Sequence, residues 1–138
     1  MDEAVRTQRA PVRSEALVEA LRQELAARGI KEYLLVDHAG DMRDAGAPLH
    51  PAFTLIFGNP RLGSALLAES LDAVVDIPLR MGVYQDQDEA VLVYRDMAPL
   101  LNAYGPERER LAQLAAQVNG VLEAVASAGL ARAGRQTP

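Results

Sequence analysis

At 138 residues with 49% apolar side chains, the chain has the length of one domain and can bury a core of its own, which four tyrosines and two phenylalanines leave mainly aliphatic. A net charge of −5 without a clustered basic face argues against nucleic acid as a partner, and the absence of cysteine excludes disulfides, thiolate catalysis and cysteine-ligated zinc. The N-terminus MDEAVRTQR lacks a secretory apolar core and no window approaches the ~20 apolar residues of a membrane span, so a cytoplasmic location without membrane contact is expected.

In chain order, Glu3 to Arg9 alternates weakly and is expected to form an edge strand ending before Pro11. Leu17, Val18, Leu21 and Leu25 recur at helical spacing, which predicts a helix from Ser14, as its cap, to Arg28, with Gly29 as the stop. Ile30 to Val36 reads as a strand whose end, Leu34-Leu35-Val36, is apolar without alternation and is therefore expected to be buried on both faces. That strand delivers Asp37 and His38 to a short polar helical turn closed by Gly46.

The chain is organised around Phe53 to Ser64, FTLIFGNPRLGS. Phe53, Leu55 and Phe57 fall on one side of a strand, Gly58 permits a sharp exit, Asn59 is a good N-cap, and Pro60 suits the first helical position. Gly63 in the first turn weakens the helix by about 1 kcal/mol unless something packs or binds closely there. A helix N-terminus after a glycine turn presents N–H donors and a positive dipole end, an arrangement that suits phosphate or carboxylate, although capped strand-to-helix turns without a ligand are commoner. Leu62, Leu66, Leu67 and Leu71 are expected to point inward.

Ala73 to Gln85 carries a two-residue period, with Val75, Ile77, Leu79, Met81 and Val83 on one face and Asp76, Pro78, Arg80, Gly82 and Tyr84 on the other. Pro78 cannot donate to a ladder, which predicts an edge or a bulge there. Asp86 to Glu89 is read as a turn and Ala90 to Tyr94 as the second arm of a hairpin, followed by a short helix over Asp96 to Tyr104. Glu107 to Ala128 is read as a long helix with Leu111, Leu114, Val118, Val121, Leu122 and Val125 on one stripe. One domain over residues 1–130 is expected, and 131–138, ARAGRQTP, is expected to be disordered because it has nothing to bury.

Val36 to Ala39, Ile56 to Gly63, Asp76 to Arg80, Val83-Tyr84 and Tyr94 together resemble the domain-of-unknown-function 302 (DUF302) family, in its order and spacing, over about Val5 to Gly105. The resemblance implies an α+β domain of two layers, an antiparallel or mixed sheet of four to five strands with helices on one face. It implies no activity. Two departures from the family pattern are Asp88-Glu89, where the hairpin turn of relatives contains glycine, and Tyr104, where relatives often carry histidine.

Three functions compete. The leading one is a non-enzymatic homodimer that binds a small anionic ligand through Gly58, Asn59, Arg61, Gly63, Ser64 and Arg80, with no cofactor. The second is a hydrolase or isomerase using Asp37 and His38, with Arg80 on a substrate carboxylate; neighbouring strand residues point to opposite faces, which counts against that pair. The third is a structural or protein-interaction module. A metal site from His38, His50 and Asp41 or Asp44 matches no zinc spacing and is not expected.

Overall fold

The alternation of apolar and polar residues shows which face of the sheet is covered most clearly in the strand Leu79–Asp86, where Leu79, Met81 and Val83 are buried and Arg80 and Tyr84 are exposed. The computed structural model describes residues 4–47 and 49–136. Strands Val5–Ala10 (β1), Lys31–Asp37 (β2), Ala52–Gly58 (β3), Leu79–Asp86 (β4) and Glu89–Arg95 (β5) form one sheet in the order β1-β5-β4-β3-β2, antiparallel throughout. The register stacks Phe53 beside Val83 and Leu92, Leu55 beside Met81, and Phe57 beside Leu79, so these side chains share the inner face. Helices Ser14–Ala27 (α1) and Glu109–Gln136 (α5) run side by side over that face, while Pro60–Glu69 (α3) and Ala98–Asn102 (α4) pack against α5. The short helix His38–Asp44 (α2) sits at the β2–β3 end of the sheet. The fold is α+β, and its core is the expected aliphatic one, with Leu17, Leu21, Leu55, Leu66, Leu92 and Leu114 almost wholly buried beside Phe57.

Local signals place most element ends. Gly29 and Gly46 adopt φ of 67° and 78° just beyond α1 and α2, the left-handed geometry that glycine tolerates. Asn59 caps α3, its side chain accepting the Arg61 N–H at 3.0 Å. At the end of β5, Asp96 accepts from the Ala98 N–H at 3.0 Å and from the Asn119 amide at 2.7 Å, tying the strand to α5. These bonds hold the Asp96 carboxyl below its ordinary range, the Ala98 N–H contributing most.

Five expectations are corrected. The segment expected as one strand from Ala73 begins instead as a 3₁₀ turn, Leu71–Asp76, and β4 starts only at Leu79. Val75 is consequently 74% exposed, and Pro78 precedes a central strand rather than interrupting an edge. Leu71 points to solvent, because the chain has left α3 before reaching it. β2 is an edge strand with only one face covered, which leaves Leu34 54% exposed. Ser14 is the first residue of α1 rather than its cap; its N–H donates to the Gln85 side chain at 2.7 Å.

The fifth correction concerns the C-terminal residues. α5 continues to Gln136 because Ala133 is buried and Arg132 pairs with Glu24 of α1 at 2.8 Å. Residues 137 and 138, like the first three of the N-terminal segment, lie outside the described residues. Among the described residues α5 is the one helix long and apolar enough to cross a membrane by length and composition. Its apolar stripe is buried in the core, and Arg110, Gln113, Gln117 and Glu123 are exposed on the opposite side.

Candidate ligand-binding site at the Gly58 to Gly63 turn

β3 delivers Gly58 to the end of the sheet, where the chain turns into α3. Pro60 has no N–H, Arg61 gives its N–H to the Asn59 side chain, and Gly63 gives its own to the Asn59 carbonyl oxygen at 2.9 Å. Of the N–H groups that a helix N-terminus ordinarily leaves free, Pro60 therefore supplies none and that of Arg61 is taken, while the Gly63 bond is the first of the helix itself. Facing the turn are Ile77, Pro78 and Leu79, and between the two segments lies a cavity of about 400 Å³. Leu62, Leu66, Val74 and Val118 complete most of its wall, and among the described residues Asn59 and Tyr33 are the only polar ones that line it.

The two glycines of the turn have different reasons. A Cβ on Gly58 would lie 3.3 Å from Tyr33 Cε2 and 3.6 Å from Pro78 Cβ, so glycine lets the Tyr33 ring close against the turn. Lys31 Nζ stands 5.0 Å from the centre of that ring, within cation–π reach. At Gly63 the nearest neighbour to an added Cβ would be Ile77 Cδ1 at 3.8 Å, an ordinary contact. No close packing demands glycine there, yet it costs the helix about 1 kcal/mol relative to alanine. What the missing side chain leaves is cavity space.

The 3₁₀ turn and the end of α3 before it are each tethered from outside. The Tyr104 hydroxyl donates to the Asp76 carboxylate, and Arg108 donates to the Glu69 backbone oxygen at 2.7 Å and to its carboxylate at 2.6 Å. The bond to Asp76 pushes the Tyr104 phenol above its ordinary value.

Of the six expected ligand contacts, Gly58, Asn59 and Gly63 come together in this cavity. Arg61 and Ser64 are exposed on the solvent side of the same turn. Arg80 lies on the outer face of the sheet, in a second hollow of about 380 Å³ that it shares with Thr54, Gly82 and Val93. Asp37 accepts the Gly40 N–H at 2.9 Å and so caps α2, while His38 Nε2 is 2.7 Å from Thr54 Oγ1 over the outer face. The carboxylate and the imidazole therefore serve different partners, although His38 and Arg80 share a face. Among the described residues no three histidine, aspartate or glutamate side chains gather as a metal site. Tyr33, Ile77 and Pro78 are the lining residues that spacing does not reveal, because Ile77 and Pro78 read as part of a strand and Tyr33 reaches the site only through the β2–β3 pairing.

A crystal structure of an uncharacterized conserved DUF302 protein from Bacillus stearothermophilus matches this fold at a TM-score of 0.78, with 19% identity over 96% of this chain and 99% of that one. The fluoride-specific ion channels FluC 1 of Brucella suis and Brucella abortus are 29% identical over 69 residues, 50% of this chain but only 27% and 26% of those proteins. The family model for DUF302, a domain of unknown function, matches residues 5–128, and the chain belongs to that family.

Proposed function

We propose that the chain is a non-enzymatic, homodimeric binding module, cytoplasmic in setting, whose site for a small ligand with an anionic end is the Gly58 to Gly63 turn. One observation carries this reading: the glycine turn after β3 and the Ile77-Pro78-Leu79 segment, distant in sequence, meet around one cavity of about 400 Å³, a volume within the range of small-molecule sites. The likeness to a limited stretch of the fluoride channels fits a module carried as one segment of a longer protein. The competing enzyme reading needs Asp37 to work with His38, and the Asp37 carboxylate is engaged as a helix cap.

A thermal-shift screen of phosphate and carboxylate compounds tests the site. The wild type is expected to be stabilised by at least one compound, and Arg61→Ala to lose that stabilisation, since Arg61 brings the cation nearest the turn in sequence. No shift with any compound would leave a module without this ligand site.

A further inference from the structure

We infer that the cavity at the Gly58 to Gly63 turn takes a monocarboxylate with an apolar body rather than a phosphate, and that Gly63 sets the length of that body. This rests on the reading of the cavity as a ligand site. Its interior is lined by Leu62, Leu66, Ile77 and Leu79, with no charged side chain among the described residues. A doubly charged phosphate drawn into such a wall would lose water without gaining matching donors. The turn supplies few of them, because Pro60 has no N–H and that of Arg61 is already bonded to the Asn59 side chain. The Asn59 side-chain oxygen is committed to the cap, which leaves its amide nitrogen to donate, and Tyr33 is the one other polar residue on the same lining among the described residues.

One singly charged, flat acceptor is therefore what the polar part of the site can satisfy. Arg61, exposed on the same turn and without an ion pair among the described residues, provides the countercharge outside the apolar wall. The body of the ligand would lie along α3 towards Ile77, over Gly63. An added Cβ at Gly63 would sit in ordinary contact with Ile77, so a methyl group there fits the empty protein and takes up space that an occupant would need.

The test is calorimetric titration of the whole chain with butanoate, hexanoate, hexanol and inorganic phosphate. Hexanoate is expected to bind more tightly than butanoate, hexanol more weakly than hexanoate, and phosphate not at all. Gly63→Ala should keep or raise the unliganded melting temperature, since alanine favours the helix, while weakening hexanoate by about tenfold, as one methylene in an apolar pocket does. Butanoate should be affected less. Phosphate binding without hexanoate binding, equal affinity for the two chain lengths, or an unchanged hexanoate affinity in Gly63→Ala would each overturn the inference. If none of the four probes binds, the reading of the cavity as a ligand site fails with it. The wild-type series needs no variant, so the outcome does not depend on how Gly63→Ala folds.

Discussion

Glycines in this chain separate residues that are needed by the backbone from those needed by their neighbours. Asn59 and Pro60 were legible from sequence because a cap and a first-turn proline act on their own turn. Gly63 was legible as an anomaly, since helix propensity alone marks it. Gly129 was not, because its reason lies on another helix: an added Cβ would stand 2.5 Å from Leu21 Cδ2 and 3.5 Å from the Leu21 Cα. Leu21 is fully buried and its backbone belongs to α1, so neither can retreat without moving a helix. Overpacking in Gly129→Ala should therefore cost up to about 3 kcal/mol, against the ~1 kcal/mol that alanine ordinarily returns in a helix, for a net destabilisation of up to about 2 kcal/mol. Urea unfolding should show a lower midpoint with an unchanged slope. A raised midpoint would mean that α1 and α5 separate freely at this crossing.

Elements whose pattern is local were read correctly, and those decided by a distant partner were not. The α5 stripe from Leu111 to Val125 is periodic and buried as expected except at the half-buried Val121, but its extension to Gln136 depends on α1. Arg132 donates to Glu24 at 2.9 Å and to Gln23 at 3.3 Å, contacts that no local composition announces. The 3₁₀ turn is the reverse case. Val75 continues the alternation of β4 in sequence, but the chain there is held to Tyr104 and leaves the plane of the sheet. For the α1–α5 pair a pH dependence follows. Hydrogen bonding to Arg132, ahead of the charge of Arg132 and the contact with Arg28, holds the Glu24 carboxyl below its ordinary value of 4.5. A lowered folded value means that the pair stabilises fully above the ordinary value and that its contribution disappears as pH falls through the folded one. Arg132→Ala should cost about 1 kcal/mol near neutrality, the scale of an ion pair that water still reaches. The difference from wild type should shrink on acidification below the ordinary carboxylate range. Urea midpoints across that range check it; a gap that stays constant would assign the loss to packing of the Arg132 stem instead.

At the scale of the whole molecule, the helices α1 and α5 cover one face of the sheet and leave most of the other bare. That outer face carries Leu34 at 54% exposure and Tyr84 at 37%, with Ile56 and Val93 half-buried between them. Rows of β-branched and aromatic side chains on a sheet face suit a second sheet, and a like surface on a second copy would meet it across a two-fold axis. The proposed homodimer should therefore scatter light as about twice the 14.9 kDa chain mass at micromolar concentration. Tyr84→Glu places a charge that water solvates in the monomer and that the pair would have to desolvate, so it should shift the mass towards the monomer while the fold persists. Because the Gly58 to Gly63 cavity is lined by residues of α3, α5 and the inner face, hexanoate should still raise the melting temperature of Tyr84→Glu. A wild type that stays monomeric at high concentration would remove the dimer and leave the cavity untouched. A Tyr84→Glu protein that loses both the second copy and the ligand response would show instead that pairing of the sheets holds the cavity in shape.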